Sequence, residues 1–187
     1  LQTESLFKEG KHTKSNTKAE AVMLLNHQAA LDYVLNKPDY FRELTVQKIL
    51  EIHRFLTKGL GIPNKIRAGR VGITGTNYKP LAKANQIQKA LQDLCDLINS
   101  KRNVLEKAFI ALLLIAYIQP FEDGNKRTAR IICNALLLPN KYCPISFRTV
   151  EPEDYRYATL LFYEQNSIPS FKKIFMEQLE FSTANYF

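Results

Sequence analysis

Eleven consecutive apolar residues, Ala108 to Ile118, run into a Gln119-Pro120 break, and no other feature restricts the fold as strongly. The helical pattern reaches back to Val104 and is apolar nearly all round, which marks a helix enclosed by other elements. The run is about half of the ~20 residues that a bilayer crossing needs, so it predicts a buried central helix and no membrane span. Proline lacks an amide hydrogen and clashes with the preceding turn, so this helix stops before Pro120. Whatever follows is a turn held against the end of the most buried helix in the chain.

Around this centre the periodicity predicts further helices. A first one starts near Thr17, carries Ala21, Leu24, Leu25, Leu31 and Leu35, and is stopped by Lys37-Pro38. Thr45 is placed to cap a second, with Val46, Ile49, Leu50, His53 and Leu60 on one face and Gly59, Gly61 and Pro63 at its end. Ile87, Leu91, Leu94 and Ile98 mark a third; others are expected over about Asn125 to Leu138, Glu153 to Gln165 and Pro169 to Phe181. The stretch from Ala68 to Pro80 interleaves Gly, Asn and β-branched residues and is expected to form a small hairpin. The sum is an all-α domain of six to eight helices with one small β-hairpin.

Composition narrows the partners less than the fold. A chain of 187 residues with 11 Phe and 9 Tyr suits one globular domain, residues 1–187. Lys and Arg number 26 against 18 acidic residues, a net +8 that serves nucleic acid, anionic lipid or phosphate ligands alike. The basic residues form no run, so nucleic acid is disfavoured, and a DNA-associated helical protein rests on the charge alone. No secretory signal pattern opens the chain. Cys95, Cys133 and Cys143 are odd in number and lack tight pairing, which argues for a reducing interior and against disulfides or a zinc site.

The turn after the central helix reads Gln119-Pro-Phe-Glu-Asp-Gly-Asn-Lys-Arg-Thr-Ala-Arg130. Gly124 permits a positive φ, and Asn125 is suited to cap the next helix. The amides of Gly124, Asn125 and Lys126 then point outward at a helix N-terminus, a ready anion site, with Lys126 and Arg127 beside it. Arg127 and Arg130 are three apart and share a helix face. Asp123 at the mouth of such a site would repel phosphate unless a cation such as magnesium lay between them. The plainer alternative is a polar interhelix turn with solvated basic residues. His53, on a helical face, fits a satisfied core histidine better than a ligand.

This segment resembles the Fic family signature, His-Pro-Phe-x-Asp/Glu-Gly-Asn-Gly/Lys-Arg-x-x-Arg, at every fixed position but the first. The resemblance extends over about residues 15 to 180 and implies a Fic-type helical bundle whose flap hairpin is Arg70 to Pro80. It implies ATP as substrate, with Mg2+, and AMP transfer to a hydroxyl of a target protein. Asp123 would hold the metal, and Gly124, Asn125 and Lys126 would line the phosphate nest. Arg127 would hold the β-phosphate region, and Arg130 the γ-phosphate. Phe121 would anchor the loop, and adenine would meet the helix of Asn134 and the region of Tyr155. Lys126 also resembles the phosphate-transferring toxins of the Doc type, but those usually lack the second arginine, so Arg130 favours nucleotidyl transfer.

Position 119 is where the family carries the histidine that takes the proton from the attacking hydroxyl. The amide of Gln119 accepts a hydrogen bond but cannot take a proton near neutral pH, which costs on the order of 10²–10⁴ in rate. Gln119 is either an introduced inactivating change or natural, and in the second case a nucleotide-binding regulatory pseudoenzyme is the alternative. Asn16-Thr-Lys-Ala-Glu20-Ala21 resembles the inhibitory motif of the amino-terminally regulated class, in which Glu20 would reach Arg130. That divides the chain into an amino-terminal segment, residues 1–36, and a core, residues 37–187. The target protein would dock along the flap; a homodimer and a cytoplasmic placement, bacterial or in a host cytosol, accord with the resemblance.

Overall fold

The computed structural model of the protein describes residues 18–186. Seven α-helices appear among the described residues: α1 Lys18–Asn36, α2 Val46–Thr57, α3 Ala84–Ser100, α4 Val104–Ile118, α5 Asn125–Leu137, α6 Pro152–Gln165 and α7 Pro169–Tyr186. Short 3₁₀ turns at Pro38–Phe41 and Leu138–Asn140 follow α1 and α5. Thr17, the expected start of α1, and Asn16 of the inhibitory pattern lie outside the described residues.

The expected centre is the observed one. In α4, Ala108, Ala111, Leu112, Leu113, Ile115, Ala116 and Ile118 are all buried. Each large side chain among them contributes about 1.5–3 kcal/mol by leaving water. The α5 helix packs along α4 as its main partner, and α1, α2 and α3 close the other sides. Capping is as the residue types suggest. Thr45 Oγ1 accepts from the Lys48 amide at 3.3 Å, and Asn103 Oδ1 accepts from the Glu106 amide at 3.1 Å. No helix among the described residues is long and apolar enough to cross a membrane.

The hairpin is a correction. Residues 66–83 carry no strand; the chain leaves α2, turns at residues 74–75, where Gly75 takes φ 87°, and returns to α3. One main-chain bond, Gly69 N–H to Ala82 O at 2.9 Å, closes the base of the excursion. Higher up the donors look elsewhere: the Asn77 amide reaches Glu164 Oε1 of α6 at 3.3 Å, and the Tyr78 amide turns onto Thr76 Oγ1 at 3.1 Å. Pro80 has no amide to give. A ladder needs those donors facing the opposite limb, so the segment is a loop laid against the helices.

Candidate functional site

The turn between α4 and α5 is built by its own short side chains. Gln119 ends α4 in the left-handed region, φ 51°, with its amide still bonded to Ile115 O at 3.2 Å. Asn125 then folds back over the turn. Its Oδ1 accepts from the Phe121 amide at 2.9 Å, and its Nδ2 donates to Phe121 O at 2.8 Å and to Gln119 Oε1 at 3.0 Å. The capping role expected of Asn125 is therefore corrected: it is the first residue of α5, and Gly124, at φ 82°, takes the N-cap position without a side-chain bond. The amides of Asn125, Lys126 and Arg127 are left without an acceptor among the described residues, the open donor set that a helix start offers an anion.

Beneath the turn, Phe121 is fully buried and stacks on His53 of α2, ring centres 3.7 Å apart. His53 is the satisfied core histidine its pattern suggests. Its Nε2 donates to Asp123 O at 3.0 Å and its Nδ1 lies 3.3 Å from Asn64 Oδ1. Burial holds the ring below the ordinary histidine range despite those two bonds. Gly124 sits above the same ring, so α2 supports the whole motif turn from below.

Over the turn lies a cleft of about 530 Å³. It brings together Gln119, Asp123, Gly124, Asn125, Lys126 and Arg127 from the turn, Gly72 to Thr74 from the loop, and Arg156, Thr159 and Leu160 from α6. Asp123 spreads its carboxylate between two neighbours: Oδ1 accepts from the Gly124 amide at 2.5 Å, and Oδ2 pairs with Arg127 Nη2 at 3.0 Å. The other terminal nitrogen of Arg127, Nη1, is buried without a partner. Lys126 has its ammonium pulled below the usual lysine range, first by burial and then by the charges of Arg130 and Arg156. Gln119 turns its amide inward: Nε2 donates to Ala116 O at 2.5 Å while Oε1 takes the bond from Asn125.

Three expected residues stand apart. Arg130 and Asn134 line a separate cavity behind the turn, and the amide of Asn134 is spent on Ile145, accepting from its N–H at 2.8 Å and donating to its O at 3.1 Å. Glu20 is exposed in the first turn of α1. Two arginines were not legible as site residues. Arg67, 1% exposed, donates from Nε to Gln119 O at 2.6 Å and from Nη1 to Gly69 O at 2.5 Å, tying the loop base to the C-terminal end of α4. Arg156 reaches from α6 to the loop tip, its Nη2 2.7 Å from where a Cβ on Gly75 would stand, an approach only glycine allows. Nothing in the local sequence marks either one, because both are defined by what packs against them.

Two carboxylates line the cleft, Glu122 and Asp123, and one or two carboxylates suit a magnesium ion held mainly by phosphate oxygens and water. Among the described residues no cluster of three or more His, Cys, Asp or Glu gathers to bind a metal alone. Asp123 therefore fits a metal that arrives with a phosphate ligand.

Residues 43–137 match the Fic/DOC family. The chain is 26% identical over 151 residues to protein adenylyltransferase fic-1 of Caenorhabditis elegans, covering 77% of this chain and 29% of that protein. It is 32% identical over 119 residues to protein adenylyltransferase Fic of Nematostella vectensis, covering 60% of this chain and 27% of that one. The chain thus spans less than a third of these relatives. A solved fragment of Fic-1 from C. elegans superposes with a TM-score of 0.81 at 24% identity, covering 99% of this chain and 56% of the fragment, and so shares its fold.

Proposed function

The chain belongs to the Fic/DOC family, and from that premise we propose that it binds ATP with magnesium in the cleft over residues 119–127, in a protein adenylyltransferase site impaired by Gln119. At family level the activity is AMP transfer, as the names of the relatives state. The observation that carries the proposal is the convergence of Asp123, Lys126, Arg127 and three open amides on one cleft. Asp123 holds the magnesium ion, which neutralises phosphate charge when bound. The first-turn amides and Lys126 cradle the phosphates, and Arg127 gives them its spare N–H groups. Arg130 takes the terminal phosphate, as the adenylyl-transferring members require, by swinging from its place behind the turn. Asn134, expected near the base, stays outside this cleft, its amide committed to Ile145 behind the turn. The target chain lies along the loop from Arg70 to Pro80 and presents its hydroxyl over Gln119.

At that point the chemistry lacks a base. Gln119 is left-handed, a conformation histidine also tolerates, so His at this position would fit the turn. The amide instead knots the end of α4 to Asn125, and a site so arranged binds nucleotide better than it transfers it. That favours a nucleotide-binding regulatory role as the second reading of this same site. Glu20, on α1, is proposed to restrain Arg130.

Calorimetry with Mg-ATP tests the first half. Arg127→Ala removes a charge-assisted contact worth about 1.5–3 kcal/mol, so affinity falls about 10- to 100-fold. Gln119→His combined with Glu20→Gly tests the second half by intact mass after incubation with ATP. Addition of AMP supports the enzyme reading, and binding without transfer supports the regulatory one. Absence of ATP binding, even with Glu20→Gly, defeats both.

A further inference from the structure

The charge of the chain is not spread evenly. From Ile52 to Gln92 there are eight Lys and Arg and no Asp or Glu, so this stretch alone carries the whole net +8. The rest of the chain is electrically balanced. Arg67 is buried and the other seven cations are exposed. Lys89 pairs with Asp93 on α3 at 2.8 Å, but Lys65, Arg70, Lys79 and Lys83 form no ion pair among the described residues. Between the two limbs of the loop that joins α2 to α3 runs a groove of about 490 Å³, lined by Arg70, Val71, Gly72, Lys79, Pro80 and Ala82. Its walls are two unmatched cations and aliphatic groups. Gly72 also lines the motif cleft, so the two spaces adjoin. The amides of Arg70, Val71 and Gly72 have no acceptor among the described residues, which leaves that limb open to pair with another extended chain. Cations gathered without counter-charges repel one another, and an anion that settles among them relieves that repulsion.

We infer that the groove selects its target by charge: it takes an extended protein segment that carries Asp or Glu close to the acceptor hydroxyl. The inference deepens the proposed function and rests on its reading of the loop as the place where the target lies. Gly72, the shared wall, is two positions along the limb from Arg70. An extended segment paired with that limb advances in step with it, about 3.3 Å per residue, which sets the acids within about four residues of the hydroxyl. They belong at the base of the loop, between Arg70 and Lys79, because the other end of the path is negative. Glu122 and Asp123 line the cleft, and Glu164 accepts from the Asn77 amide near the loop tip. A polynucleotide suits this path less well. It is charged at every step, and the groove offers its bases no free ring face to stack on. The nearest ring, Tyr78, is half-buried, stacks on Tyr117 and donates to the Tyr117 carbonyl at 3.0 Å.

The test is fluorescence anisotropy with short labelled peptides, each holding one threonine in an otherwise neutral sequence. Two carry a run of glutamates, before or after the threonine, and two controls carry glutamines in the same places; oligothymidylate of similar charge is the last probe. One of the glutamate peptides is expected to bind more tightly than its glutamine control. That binding should weaken about five- to thirtyfold in the double variant Arg70→Gln, Lys79→Gln, as loss of two exposed ion pairs implies. Lys89→Gln, on the same basic stretch but paired on α3, should leave it within about twofold. A melting midpoint within about 2 °C of wild type reports that the double variant folds. Equal binding of glutamate and glutamine peptides, or none by either, overturns the inference. So does an acidic peptide indifferent to the double variant, or oligothymidylate that binds tighter than both acidic peptides and is lost in that variant. Calorimetry with Mg-ATP on the unmodified chain separates the two readings. ATP binding without a preference for acid defeats the charge selection alone, and a preference for acid without ATP binding defeats the nucleotide site and leaves the groove.

Discussion

Replacing Asn125 by alanine should cost more stability than any polar residue of the motif turn, because one side chain closes three hydrogen bonds. Two of them satisfy the Phe121 amide and carbonyl, which lie where Phe121 is fully buried. The third anchors Gln119 Oε1. Buried main-chain groups left unpaired cost about 1–3 kcal/mol each, and partial relaxation of the turn brings the pair to roughly 2–4 kcal/mol. For a chain of this size each kcal/mol moves the melting midpoint by about 2–4 °C, so a drop of roughly 5–15 °C is expected. Asn125→Asp sharpens the argument. It keeps an acceptor for the Phe121 amide but sets an oxygen where Nδ2 faced two other oxygens, and adds negative charge beneath the open amides of α5. It should therefore destabilise at least as much and weaken Mg-ATP binding further than alanine does. Circular dichroism melts give the first quantity and calorimetry the second. A midpoint within about 2 °C of wild type with unchanged ATP affinity would show that the turn is held by something other than Asn125.

Other consequences are open to direct measurement. Gly124→Ala places a methyl in available space, its nearest contacts 3.5 Å away on His53 and Thr57, so its cost is that of the left-handed backbone, about 1–2 kcal/mol by urea denaturation. His27 and His53 both have folded pKa values below the ordinary one, so the unfolded chain binds the extra protons. Stability should be fully present above about pH 6.5 and decline as pH falls through that value, and His53→Phe should flatten part of the decline in melts between pH 7.5 and 5. Cys95, Cys133 and Cys143 are free and buried, with burial pushing the Cys95 thiol up to about 12. Alkylation monitored by mass should therefore label none of them in the native chain and all three after denaturation.

What could be read directly was what is contiguous in the chain. The apolar run from Ala108 to Ile118 specified its own burial, Pro120 its end, and Gly124 the positive φ that lets the next helix start there. Asp123, Gly124, Lys126 and Arg127 share a cleft because a tight turn cannot scatter neighbours. Local preference also misled. Asn125 is a good capping residue by type, yet its amide does more by closing the loop on Phe121, and in the segment 68–80 Asn77 and Tyr78 bond to α6 and α4 instead of to the opposite limb.

The rest belongs to the packing. Arg67 is a buried brace only because its guanidinium finds Gln119 O, 52 positions away, and Arg156 reaches the loop tip only because α6 lies beside it. His27, Arg130 and Arg148 face one cavity because α1, α5 and the loop after α5 come together there, a proximity with no local signature. Side-chain type and spacing act over a few residues, and they decided the helices and the anion-binding turn. Long-range contacts depend on how whole helices dock, and that docking alone decided what braces the turn and which charges meet.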